Sequence, residues 1–435
     1  MRSATQWIAL LPLWASMPLV AMEAAPTAPA APPKPVVDLI QRSAPLVAAA
    51  QARDHDKVEA LLSGATPADV NQWSSDGTTA LHWAIYNDDL PLVKRLIAAG
   101  ANVNASNDYR ATPLSEAAVI GNVDILRLLL EKGADVESAN ADNQTALMIV
   151  ARTSNVEAAR LLLKHGAKVN AREQWRQQTP LMWAVAEAQP AMVKLLLDQG
   201  ADVDVRSRVN EWERQVTAEP RMQVRPSGGF TALLYAARRG CAECASLLLG
   251  KGADVNLSDP DGVSPLLMSL LNGNFDTAAV LLRAGADVDK WDIWGRSPLY
   301  AAVDYNTLPM GGRADRPKLD QTTGVELIGM LLDAGANPNL QLKLFPLHRS
   351  LRDDRGADTV LGVGSTPLLR AARAGDIAAM KLLLDHGVLV DLPTAAGITP
   401  LMAAAGNGTF SRDTRGRYRT AEQANEAVKL LLAAG

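Results

Sequence analysis

Apolar and polar positions follow one another in this chain at helical spacing, and the pattern restarts about every 33 residues. In Val123-Asp124-Ile125-Leu126-Arg127-Leu128-Leu129-Leu130 the apolar side chains fall at i, i+3 and i+4, which predicts a helix with one buried face. Leucine triplets mark the same element at 128–130, 161–163, 195–197, 247–249 and 382–384. A glycine suited to the left-handed turn that closes a helix follows such elements at Gly100, Gly133, Gly166, Gly200, Gly252, Gly285 and Gly335. Ahead of these elements a second apolar segment opens on Thr or Ser, then Pro or Ala, then Leu. Its starts are Thr79, Thr112, Thr145, Thr179, Thr231, Ser264, Ser297, Thr366 and Thr399. The hydroxyl can cap the first backbone N–H groups, and proline costs nothing where the N–H has no partner anyway. Successive starts lie 33, 33, 34, 52, 33, 33, 69 and 33 residues apart, so the steps of 52 and 69 carry insertions. The pattern predicts an array of helix pairs.

A single pair cannot bury both its faces and must stack on its neighbours. Covering one leucine contributes about 1.5–3 kcal/mol, which assigns the triplets to the core. The template stretch Gly77 to Arg110 holds Thr79-Ala80-Leu81-His82 and then Gly100-Ala101-Asn102-Val103-Asn104, and both landmarks keep phase along the chain. In this the chain resembles the ankyrin repeat family from about residue 46 to residue 435. The resemblance implies a mainly α fold, an ankyrin-repeat solenoid of about ten helix-turn-helix repeats with projecting β-hairpin loops. For His82 it implies a structural hydrogen bond to turn backbone.

The ends read differently. Arg2, the apolar run Trp7 to Met22 broken at Pro12 and Pro18, and the small residues after it predict a secretory signal peptide over 1–25. An uncleaved anchor is the alternative reading. An Ala/Pro-rich linker follows over 26–44, then a degenerate capping repeat over 45–76 with polar Gln51, Arg53, Asp54 and His55. Repeats occupy 77–435, with insertions at 205–229, 304–324, 340–364 and 406–423. The array stops at Leu430-Leu431-Leu432-Ala433-Ala434-Gly435 without a polar cap, which predicts a shielding partner or further chain.

Net charge of −4 offers no global argument for nucleic acid. The insertions together carry +5 and the remainder −9, the plainest basic run being Arg412, Arg415, Arg417 and Arg419. No Walker A motif, H-E-x-x-H, G-x-S-x-G elbow or dinucleotide fingerprint occurs. Gly362-Val363-Gly364-Ser365-Thr366-Pro367 looks faintly like a phosphate loop, but the repeat phase accounts for it. His55, His82, His165, His348 and His386 pair with no nucleophile, and no catalytic residue, cofactor or metal is expected. Cys241-Ala242-Glu243-Cys244 is the one chemically distinctive motif. It admits a disulfide or a pair of buried thiols, and at a helix N-terminus also thiol-redox chemistry. Zinc lacks further ligands here.

In the family, hairpin tips and the outer ends of the first helices line one concave face. Here those places hold Trp73, Tyr86, Tyr109, Trp175, Arg238, Arg239, Trp291, Ile293, Trp294, Tyr305 and Arg373. Trp, Tyr and Arg are the residue types enriched in binding hot spots. Trp83 and Trp183 are read as packing, and for Trp175 and Trp291 packing on the next hairpin stays an alternative. The expectation is therefore a non-enzymatic scaffold, periplasmic or secreted and a monomer, that binds a protein partner on its concave face without nucleic acid or stable membrane insertion. Two other readings remain open: an effector acting on host proteins, and a thiol-redox protein using Cys241 and Cys244.

Overall fold

The computed structural model of the chain describes residues 44–215, 222–307, 320–344, 360–406 and 419–435. The expected signal peptide, the linker up to residue 43 and part of each insertion, with Arg412, Arg415 and Arg417, lie outside these residues. Ten helix pairs follow one another within them. The first helices are Pro45–Gln51, Ala80–Tyr86, Pro113–Ile120, Ala146–Ala151, Pro180–Ala186, Ala232–Arg239, Pro265–Leu271, Pro298–Asn306, Pro367–Ala374 and Pro400–Ala405. Their partners are His55–Leu62, Leu90–Ala98, Val123–Glu131, Val156–Lys164, Pro190–Asp198, Ala242–Gly250, Phe275–Arg283, Gly324–Asp333, Ile377–Asp385 and Ala421–Ala434. Each first helix packs on its own partner and on the next first helix, and from Leu90–Ala98 onward each second helix packs on the next second helix. Two ranks of helices result, a solenoid.

One repeat shows why these residues take these elements. Thr112 Oγ1 accepts the Ser115 N–H at 3.2 Å while Thr112 N–H donates to Ser115 Oγ at 2.8 Å, closing a reciprocal cap on Pro113–Ile120. Gly121, at φ 81°, ends that helix in the left-handed region, and Asn122 Oδ1 then caps the second helix from Asp124 N–H and Ile125 N–H. At the far end Ala134 N–H reaches Leu129 O at 2.9 Å and Gly133 N–H reaches Leu130 O at 3.1 Å. This double closure needs the positive φ of Gly133, and it is the reason for the recurring Gly-Ala pair.

The core is one main cluster running from Ala44 to Leu431, with a small second cluster of Val360, Leu361, Leu369 and Ala403. In every leucine triplet the middle residue is fully buried, as at Leu129, Leu162, Leu196, Leu248 and Leu383, whereas the flanking leucines are mostly half-buried. The triplets are thus less uniformly interior than expected.

Polar side chains stitch one repeat to the next. The last Asn or Asp of the Gly-Ala-Asx-Val-Asx landmark accepts a backbone N–H from the following repeat: Asn71 from Asn102, Asn104 from Asp135, Asn170 from Asp202, Asp204 from Asp254, Asn256 from Asp287, Asp289 from Asn337, and Asn339 from Leu389. Glu137 does the same for Lys168. Three of these bonds span an insertion, so the stitching continues across the extra chain.

The hairpin connections are turns joined tip to tip by backbone bonds such as Asp108 N–H to Asp76 O at 2.8 Å and Ile293 N–H to Asp261 O at 3.0 Å. Among the described residues they hold isolated bridges at Trp73–Thr79 and Ala139–Thr145 rather than ladders. The one ribbon among the described residues, Val209–Gln215 antiparallel to Met222–Gly228, lies in the insertion 205–229.

Candidate functional site

Two register positions on the first helices lie off the core. Four residues after the capping Thr come Trp83, Glu116, Ile149 and Trp183; seven after it come Tyr86, Val119, Arg152 and Ala186. In these repeats the four-position is half-buried, while Tyr86 and Val119 stand about 60% exposed (59% and 63%). Trp83 meets Tyr86 edge to face with ring centroids 5.5 Å apart, and the Arg152 guanidinium stacks over Trp183 at 5.2 Å. Trp83 and Trp183 are half-buried and pack against the core. Val119 and Glu116 were missed by a reading that looked for aromatic and basic types.

The hairpin tips are held by one acceptor side chain each. Asn107 Oδ1 takes the N–H groups of Tyr109 and Ala111, Asn140 those of Asp142 and Gln144, Asp259 those of Asp261 and Val263, and Asp292 those of Trp294 and Arg296. This clamp fixes the backbone of the tip without deciding whether its side chains face water, since clamped Tyr109 is exposed and clamped Trp294 is buried. Trp73, Tyr109 and Trp175 are all strongly exposed, and Trp175 is steadied by its indole N–H on Asp142 at 2.9 Å.

Other expected site residues are placed differently. Trp294 is buried, at 7% exposure, and is withdrawn as a surface residue. Its carbonyl accepts Lys343 N–H and Leu344 N–H from residues at the start of the 340–364 insertion, and the Arg296 guanidinium stacks on its ring at 4.8 Å. Tyr305 is half-buried against Phe275, ring centroids 5.6 Å apart, and Arg373 is half-buried as well. Arg238 is exposed but lies over the rings of Phe230 and Tyr235, while Arg239 is exposed. Trp291 and Ile293 keep partial exposure, with Lys343 Nζ seated 3.1 Å from the Trp291 ring centroid. Trp73, Tyr86, Tyr109 and Trp175 therefore belong to one open stretch, and Trp291, Trp294 and Tyr305 to another that is more covered, most of all at Trp294.

Electrostatics set three groups apart. Burial pushes the His82 ring below the usual imidazole range. Its Nδ1 accepts Thr79 N–H at 3.2 Å and its Nε2 lies 3.1 Å from Ala111 O, so the neutral ring bridges two repeats. Burial also raises Asp259 to about 6 and raises Glu116. Cys241 and Cys244 are joined in a disulfide whose sulfurs are both buried, and Cys241 Sγ accepts the Cys244 N–H where most other repeats place an Asn or Asp cap. No group of three or more His, Cys, Asp or Glu among the described residues is arranged to hold a metal ion.

The comparisons with known proteins bear on the repeat itself. The family model described as ankyrin repeats (3 copies) matches residues 46–140, 135–207 and 233–310, more than half of the chain, and the single ankyrin repeat model matches 363–395. The chain belongs to the ankyrin repeat family. Ankyrin repeats are a protein-binding scaffold and are typically non-catalytic. Among curated proteins this ankyrin-repeat chain is 42% identical over 69 residues to the palmitoyltransferase akr1 of Schizosaccharomyces pombe, covering 16% of this chain and 11% of that one. It is 41% identical over 76 residues to an ankyrin repeat protein of Fowlpox virus, covering 17% of this chain and 22% of the viral one. The chain thus spans less than a quarter of either relative's length, and each match is about two repeats long. Among solved structures, the ankyrin repeat domain of Bcl-3, a member of the IkappaB protein family, is 28% identical with a TM-score of 0.43, covering 52% of this chain and 95% of that domain. No helix among the described residues is long and apolar enough to cross a membrane.

Proposed function

We propose that this chain is a non-catalytic scaffold, exported to the periplasm or cell exterior, that binds a protein partner on the concave face formed by the first helices and hairpin tips of its early repeats. The observation that carries the reading is the open stretch Trp73, Tyr86, Tyr109, Val119 and Trp175, large apolar side chains left 59–67% exposed on the first helices and hairpin tips of the early repeats. Scattered surface hydrophobics need no explanation, but Tyr86 and Val119 recur in phase on consecutive first helices, and Trp73, Tyr109 and Trp175 all stand on hairpin tips of the early repeats. Export rests on the apolar run from Trp7 to Met22, and a cystine is compatible with an oxidising compartment.

Thiol-disulfide exchange is the weaker reading, because an attacking thiolate needs access and both sulfurs are buried. The bridge reads instead as a cap.

The test is capture of the partner from the organism's own cell envelope by the full chain and by a Tyr86→Ala, Tyr109→Ala variant. The expected result is loss of a reproducibly captured protein with the thermal midpoint unchanged. Capture that survives both substitutions, or falls only as the midpoint falls, removes the binding-face reading. Fractionation of cells by osmotic shock tests export separately, and a wholly cytoplasmic pool would refute it.

A further inference from the structure

On this face one charged residue is out of keeping with its neighbours. Glu116 occupies, on Pro113–Ile120, the register position that Trp83 holds one repeat before and Ile149 one repeat after, so its carboxylate sits in a row of apolar side chains. It is half-buried and its carboxylate makes no hydrogen bond or ion pair among the described residues. Burial alone moves its titration, upward, with no cation or donor acting against it. The cation of the next first helix is committed elsewhere: Arg152 stacks on Trp183 and lies 3.6 Å from Glu187. A carboxylate placed where it loses water and gains no partner is a liability to the folded chain alone. It becomes favourable once a cation arrives.

We propose that Glu116 receives a lysine or arginine side chain of the partner, the ammonium or guanidinium meeting the carboxylate while the aliphatic stem lies along Val119 and the Trp83–Tyr86 pair. This rests on the binding-face reading above and adds to it the chemistry of the guest: an exposed basic residue in a protein segment. The geometry suits that guest. An aromatic pair offers ring faces to a cation, exposed Val119 and Tyr86 offer apolar surface to a methylene stem, and the acid supplies the counter-charge. An apolar or ionised acidic side chain would leave the carboxylate desolvated and unanswered, and a neutral donor would supply a hydrogen bond without the counter-charge.

The experiment uses a displayed library of random short peptides, selected on the full chain, on Glu116→Gln and on Tyr86→Ala. The expected result is a consensus with Lys or Arg at one fixed position flanked by apolar residues. Its binding should weaken at least about tenfold on Glu116→Gln, with the thermal midpoint of that variant equal to or above that of the parent, since an unpaired half-buried charge has been removed. Selection of an apolar consensus lacking a basic position, lost on Tyr86→Ala but indifferent to Glu116→Gln, overturns the cation site and leaves the binding face standing. A basic consensus that binds Glu116→Gln as well as the parent also overturns it, and selection of no consensus on any form overturns both.

Discussion

Tyr109 and Trp294 stand at the same place in the repeat, three residues before the capping Thr112 and Ser297, yet one is 67% exposed and the other 7%. Trp73 and Trp291 are likewise equivalent, six residues before their caps, and again the later one is the less exposed, 44% against 61%. On the first helices the contrast repeats: Trp83, Glu116, Ile149 and Trp183 are half-buried, whereas Tyr235, Met268, Ala301 and Arg370 are buried, with Arg370 paired to Asp304 of the preceding first helix. Repeat register therefore fixes where a side chain starts from, and what the neighbouring insertion does decides whether it stays in water. Residues 340–344 run along the 291–296 hairpin, bonding to its backbone and setting Lys343 on Trp291. The early repeats have no such cover.

The largest expected effect comes from testing that cover. Trp294→Ala should cost about 3–5 kcal/mol of stability, as truncating a buried aromatic does, and leave partner capture unaltered at temperatures where the protein is folded. Tyr109→Ala, its register twin, should change stability by less than about 0.5 kcal/mol and weaken capture. Urea unfolding and capture on both variants check the pair, and equal stability losses would erase the distinction between the two stretches. Next in size, Asn104→Ala removes the acceptor of Asp135 N–H and the donor to Gly133 O, and Asp289→Ala removes the acceptor of Asn337 N–H across an insertion. Each should cost about 1 kcal/mol in urea unfolding. A much larger loss at Asp289 would mean that the covered stretch depends on its stitching in a way the open one does not.

The smallest effect is a divergence with pH. His82 has a folded-state pKa below 6.5, so the stability it contributes is present above that value and is lost as the pH falls through it. Asp259 is raised from 3.8 to about 6, so the native state holds its proton longer than the unfolded chain does, and stability falls as the pH rises across that window. Hydrogen exchange should show the His82 junction loosening on acidification while the 259–263 hairpin tightens. Asp259→Asn, which keeps the oxygen that accepts Asp261 N–H and Val263 N–H, should gain in thermal midpoint relative to the parent as the pH is raised from 4 to 7. A midpoint difference that stays flat over that range would contradict the burial of Asp259.

The helix pairs were legible because their signals are local. A hydroxyl, a proline and a leucine triplet each act within one turn, and the Gly-Ala pair is the footprint of a helix closure at Gly133 and Ala134. The stitching of repeats was written in the same landmark, in its final Asn or Asp, but its meaning lies in a backbone N–H some thirty to fifty residues away and could not be read from spacing. Trp294 was misjudged, and Tyr305 is only partly open, for a related reason. Repeat phase describes a residue against an average neighbour, and these two have particular ones, Lys343 and Leu344 in one case and Phe275 in the other. Glu116 escaped notice because a single acid is ordinary in a sequence and becomes unusual only once its surroundings are known to lack a cation.

The short reach of the Cys241–Cys244 bridge has a mechanical side. It closes over a sequence separation of three, within the first turn of Ala242–Gly250, so it ties no repeat to another. Under a pull applied at its two ends the array would come apart pair by pair, since each pair leans on its neighbours alone. The cystine would shorten the released thread by almost nothing, and the force needed to draw the chain out should be the same in oxidising and reducing buffer.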